Sequence, residues 1–165
     1  MPTNFSERSQ FTADPEAVWA VLVDPAFLAA RAERSGALAH EESTTVEGGT
    51  TVVTTSRTVG TERLPQAASR FLGASAVVEQ VERWAPAGAD GSRRAQLTLT
   101  IRSAPVELVA TVTLTPDAVG CTHDLTGSLT VKVPLLGGSV EKAALPGLLD
   151  LIRSEVELAR EWSSR

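Results

Sequence analysis

Cys121 and His123 sit two residues apart in a segment that alternates apolar and polar residues. A thiol becomes a nucleophile when its pKa is depressed and a base lies within hydrogen-bond reach. On a strand, residues i and i+2 share a face but stand about 6–7 Å apart. That is too far for a direct bond, so Cys121 reads as a buried structural thiol. His123 holds more interest. Its parity places it with Cys121 and Leu125 on the apolar face, where an imidazole needs a partner. It could orient a polar ligand group or move a proton near neutral pH. A core histidine bonded to a neighbouring side chain, or one exposed beside the Gly120 turn, accounts for the same pattern.

Other constellations are weaker. Glu79/Glu82 and Glu41/Glu42 are the candidate carboxylate pairs for acid–base work, and no motif places either. Glu7 shares the parity of Phe5 and Phe11, so it is a candidate for an inward carboxylate. A buried Glu beside Arg57 or Arg83 could grip a ligand headgroup; solvated surface charge is the plainer reading of these residues. His123-Asp124 points to opposite faces of a strand and does not form a metal site, and no metal or other cofactor is expected. Gly137-Gly138 before the last helix resembles an anion-binding helix start, but no Lys-Ser/Thr follows at phosphate-loop spacing. Trp19, Trp84 and Trp162 read as core or helix anchors. The sequence therefore offers no catalytic set.

Bulk properties narrow the classes further. The chain has 165 residues and a net charge of -5, from 15 Lys+Arg against 20 Asp+Glu. Its only lysines are Lys132 and Lys142, and no basic cluster exceeds Arg93-Arg94. Nucleic-acid binders draw most of their affinity from phosphate neutralisation, so no nucleic-acid partner is expected. The same balance argues against docking on anionic lipid. One cysteine allows no intramolecular disulfide. No run of 18 apolar residues is present and the first residues carry Glu7 and Arg8, which predicts neither a membrane span nor a signal peptide and makes the cytoplasm the default location.

The elements that must position these residues follow from periodicity. Residues 4–12 alternate as a first strand. Asp14-Pro15 and Asp24-Pro25 predict two short helices, the second ending at Gly36. Residues 37–59 read as two strands joined at Gly48-Gly49. A short helix is predicted over 65–72 and a strand over 75–84. From Gln96 to Val133 apolar and polar residues alternate through three further strands, an antiparallel meander with one dry and one wet face. From residue 139 the period becomes helical. Val140, Ala144, Leu148, Leu151/Ile152, Val156, Ala159 and Trp162 form one stripe, with Glu141, Asp150, Arg153, Glu157, Arg160 and Glu161 on the other side. Pro146-Gly147 inside this helix predicts a kink or break near Leu145, at which a pocket would open.

This order resembles the START-like or SRPBCC superfamily, which includes pollen-allergen-type proteins and polyketide cyclases. The resemblance covers nearly the whole chain and implies one helix-grip domain over residues 1–165. That is an α+β fold in which a curved antiparallel sheet wraps around a long C-terminal helix, with two short helices after the first strand. The pieces ERLPQAASRFLG, Glu82-Arg83-Trp84 and VKVPLLGGSVEKA are similar to a bacterial branch of unknown function, which carries over no catalytic residues. The superfamily implies a cavity between sheet and helix. The expected lining is Leu97, Leu99, Val112, Leu114, His123 and Leu125 from the sheet, with Leu148 and Ile152 opposite. The leading expectation is non-catalytic binding or transport of a small apolar molecule such as a lipid or polyketide; a consistently empty protein with a cavity below about 300 Å³ counts against it. A cyclase- or hydrolase-type enzyme is the second reading and requires His123 to face the cavity with an Asp, Glu or Arg in hydrogen-bond reach. A protein-interaction module is the third, and the polar outer parity of the strands disfavours it.

Overall fold

Two Asp-Pro pairs turn the chain out of its first strand, β1 (Thr3–Phe11). Asp14 caps α1 (Pro15–Leu22), its Oδ1 accepting from the Ala17 N–H at 2.8 Å. Asp24 caps α2 (Pro25–Arg34) through the Ala26 N–H at 2.9 Å. Proline suits the first helical position, where its missing N–H has no partner to lose. The structure, a computed structural model, describes residues 2–63, 69, 70 and 72–165. Ser69, Arg70 and Leu72 apart, the short helix expected over 65–72 lies outside the described residues.

The chain continues as β2 (Ala39–Glu47), β3 (Thr50–Gly60), a 3₁₀ turn (Thr61–Arg63), β4 (Ser75–Trp84), β5 (Arg93–Ile101), β6 (Val106–Pro116), β7 (Cys121–Val131) and α3 (Gly137–Ser163). Gly48 and Gly49, with φ of 56° and 86°, make the two-residue β2–β3 turn that only positive φ allows. All seven strands join one curved antiparallel sheet in the order β1-β7-β6-β5-β4-β3-β2. The expected dry face is the concave one. Phe5, Leu108, Ala110, Val112, Leu125 and Leu129 are buried on it, and Phe11, Val18, Phe27 and Leu28 close one end of the core. Gly127 belongs to the same face. A Cβ there would run into Val109 O and lie 2.6 Å from Ala110 Cβ, so glycine is what permits β6 and β7 to approach this closely.

The C-terminal helix departs from expectation in two ways. It runs unbroken from Gly137 to Ser163 through Pro146, so no break occurs near Leu145. Pro146 is exposed, as is Lys142 one turn earlier, whose carbonyl loses its usual donor to the proline. Glu141, expected on the wet side, is buried instead. One of its carboxylate oxygens accepts from the Val131 N–H at 2.9 Å and the other from Thr3 Oγ1 at 2.7 Å, tying the helix entry to β7 and β1. Burial alone would raise its pKa; these two donors overcome that and hold it below the usual carboxylate value. Replacing Glu141 with Ala is expected to lower unfolding free energy by about 2 kcal/mol, since it leaves a buried N–H unpaired; urea denaturation of the two proteins measures this.

Candidate functional site

The grip is incomplete. α3 packs along β1 and β7 and against α1 and α2, while the sheet curves away beneath its middle. A cavity of about 90 Å³ remains there. Its floor is Leu97 and Leu99 of β5, Leu108 and Val112 of β6, and Leu125 of β7; Leu148, Leu151 and Ile152 of α3 form the roof. Those three α3 residues are only half-buried. Of the eight residues expected at this wall, Leu97, Leu99, Val112, His123, Leu125, Leu148 and Ile152 line it. Leu114 does not. It is fully buried in the core, at the end of β6 that α1 covers.

His123 lines the cavity, 7% exposed, with its ring centroid 6.0 Å from that of Phe11. Its Nδ1 has no hydrogen-bond partner among the described residues. Burial pushes its pKa down to about 4; Asp124 and Arg160 act on it only through space, in opposite directions. Asp124 itself pairs with Arg8 at 2.7 Å on the sheet's outer face. The acidic partner that an acid–base role requires is therefore not beside the imidazole. Cys121 is fully buried and its thiol is pushed up to about 11, by burial first and then by Asp117 and Asp14, which makes it an unreactive core group.

The other end of the cavity is charged. Arg31 of α2, Arg57 of β3, Gln80 and Glu82 of β4 and Glu155 of α3 line it beside Trp84. Arg57 and Glu82 are 5% and 6% exposed, so they are not the solvated charges that their sequence context suggested. Arg57 donates to Glu155 at 3.1 Å. Glu82 accepts from Gln80 Nε2 at 2.7 Å and from the Trp84 indole at 3.3 Å. The remaining candidates lie elsewhere. Arg83 is exposed and faces Glu47 at 3.6 Å, Glu79 pairs with Arg102, and Glu42 receives His40 at 2.9 Å. Glu7 points toward α3, where Arg153 meets it at 2.7 Å. Arg31, Gln80 and Glu155 are the polar wall residues that sequence reasoning missed. The register puts Glu82 opposite Leu97 and Gln80 opposite Leu99, so polar and apolar walls are adjacent strands of one surface. From β4 to β7, and so from Glu82 toward His123, three strand spacings measure about 14 Å.

The sequence pattern of a family described as "Protein of unknown function (DUF2505)" matches residues 6–162. The chain belongs to this family. An uncharacterized protein of Mycobacterium tuberculosis is 27% identical over 170 residues, covering 98% of this chain and 97% of its own. Among solved structures, a protein of Thermus thermophilus superposes with a TM-score of 0.66 at 15% identity, over 98% of this chain and 97% of that one. The Zhui aromatase/cyclase of a Streptomyces species gives 0.56 at 14% identity over 99% and 92% of the two chains. Norcoclaurine synthase from Thalictrum flavum, solved with dopamine and hydroxybenzaldehyde, gives 0.53 at 14% over 97% and 86%. At these identities the likeness establishes the fold alone, and this DUF2505 chain has the helix-grip architecture.

The neutral state of His123 has a measurable consequence. Its folded pKa of about 4 lies below the ordinary 6.5, so between these values the unfolded chain binds the extra proton. Stability is then fully present above pH 6.5 and falls as the pH drops toward 4, by about 3 kcal/mol from this group alone. His123→Leu is expected to flatten that portion of the pH–stability curve, read from urea midpoints at pH 4 to 7.

Proposed function

We propose that this protein binds a small, compact, mainly apolar molecule between the sheet and α3, and that it does so without catalysing a reaction. The observation that carries this reading is the half-buried roof of α3. Leu148, Leu151 and Ile152 line the cavity opposite a leucine floor and stay only half-buried, where a solid core would bury them fully. An apolar guest entering that space would bury surface at about 25 cal/mol per Å² without first unfolding anything.

Size limits the guest. Pockets for drug-sized ligands measure about 300–1,000 Å³, and this cavity is about 90 Å³. That falls below the 300 Å³ expected for a lipid or polyketide carrier. The geometry favours a ring-sized molecule over a long acyl chain, with α3 or its side chains yielding to admit it. The enzyme reading is weaker, because the one imidazole at the wall has no acid or base beside it. The interaction-module reading gains little, since the outer face of the sheet is mainly polar; Val46 and Val109 are its exposed large apolar residues among those described.

Native mass spectrometry of freshly purified protein, followed by organic extraction, is expected to reveal a small non-covalent adduct. Leu99→Trp, which fills the floor, is expected to remove it while keeping the fold by circular dichroism. A wild-type protein that is empty in every preparation and takes up no apolar probe would sink the proposal.

A further inference from the structure

Four charged side chains border one end of the cavity, and the protein itself provides for three of them. Glu82 is hydrogen-bonded by Gln80 and Trp84, while Arg57 and Glu155 bond to each other. Arg31 is the exception. Its residue is 5% exposed, and its nearest carboxylate oxygens, on Glu82 and Glu155, stand 3.7 and 3.9 Å away. These separations balance its charge but exceed the 2.7–3.2 Å or so of an N–H···O hydrogen bond. Its Nε has no partner at all among the described residues. A guanidinium carries five N–H donors in a rigid fork, and a buried donor left unbonded is costly enough that native structures rarely keep one.

We infer that Arg31 is the recognition group for a neutral hydrogen-bond acceptor, a carbonyl oxygen above all, on an otherwise apolar ligand. The inference deepens the cavity reading and rests on it. The choice of a neutral acceptor follows from the local charge count. Arg31 and Arg57 face Glu82 and Glu155, so the group is balanced as it stands. A ligand carboxylate would add a third negative charge beside two carboxylates that already lie within 4 Å of the same guanidinium. Like charges at such range repel strongly away from water. A carbonyl oxygen brings acceptor lone pairs with only partial charge. The register supplies the rest of the fit. Leu97 and Leu99 adjoin Glu82 and Gln80 on the next strand, so the apolar body of the ligand would rest one strand over from the group that holds its oxygen.

Three probes of similar size separate the possibilities: acetophenone, α-methylstyrene (in which C=CH₂ replaces C=O) and benzoate. Dissociation constants come from ¹H–¹⁵N NMR titrations that follow the Trp84 indole and Arg31 Nε–H signals. One net hydrogen bond is worth about a factor of ten, so acetophenone is expected to bind about tenfold tighter than α-methylstyrene, with benzoate weaker than both. In Arg31→Lys, and in the charge-balanced Arg31→Met/Glu82→Gln double variant should the single change impair folding, the ketone preference is expected to vanish while α-methylstyrene binding persists. Equal binding of ketone and hydrocarbon, tightest binding of benzoate, or a preference that survives both variants overturns the role of Arg31 and leaves the cavity reading standing. Failure of all three probes to bind overturns the cavity reading and this inference with it.

Discussion

A largely buried charge cluster, open to solvent only at Glu155, ties together the elements that shape the cavity. Arg31 comes from α2, Arg57 from β3, Glu82 from β4 and Glu155 from α3. These four elements are remote in sequence, and each contributes one charge. Removing a single partner from such a group strands an uncompensated charge in a poorly polarisable site, commonly at about 3–5 kcal/mol. The cluster thereby fixes where α2 and α3 sit over the β3–β4 side of the sheet. Apolar floor and polar wall are two consequences of one arrangement.

The two ends of α3 are held differently from its middle. Glu141 fastens the helix entry to Val131 and Thr3. Near the other end Val156, Leu158 and Ala159 are buried, and Trp162 meets Phe27 edge-on at 5.6 Å. Between them Leu148 to Ile152 span the gap without full burial. A helix anchored at both ends can tolerate poor packing along its centre, which is the mechanical condition for keeping space beneath it. Pro146 adds to this, since it lies in the same loosely packed stretch and removes one of the bonds that stiffen it.

Much of this fold was legible from residue periods. The alternation from Gln96 to Val133 identified the meander and its dry face, because each of those strands places aliphatic residues on one parity. The Asp-Pro pairs located both short helices. The cavity wall was half legible, for the same reason that Leu114 was misjudged: period two separates faces of a sheet but does not mark where along a strand packing ends and space begins. The charge cluster was illegible for a different reason. In β4 the inward parity mixes Ala76, Val78 and Trp84 with Gln80 and Glu82 while Val77 and Val81 point outward, which blurs the usual alternation. In α2, Arg31 looks like any other cation in RAER. Glu141 was misread because the helix entry is tucked beneath β7, a tertiary fact that no helical period encodes. The one clue at hand was Trp84, whose bulk on the parity of Glu82 argued for burial of both.

The strand order also governs how the chain must reach this state. β1 and β2 are the first two strands made, yet they form opposite edges of the finished sheet, and β1 finds its only neighbour in β7, with Phe5 facing Gly127 in register. While the chain is being synthesised, the hairpins from β2 to β7 can form in succession, each with its immediate predecessor. The first strand has to wait, unpaired, until nearly the whole chain has emerged. Closing so large a loop is slow compared with forming local contacts, so sealing of the sheet by β1 and capping of the concave face by α3 should be late and nearly concurrent events. On that order the interior space closes only when β1 and α3 dock, which makes the two ends of the chain jointly responsible for sealing it.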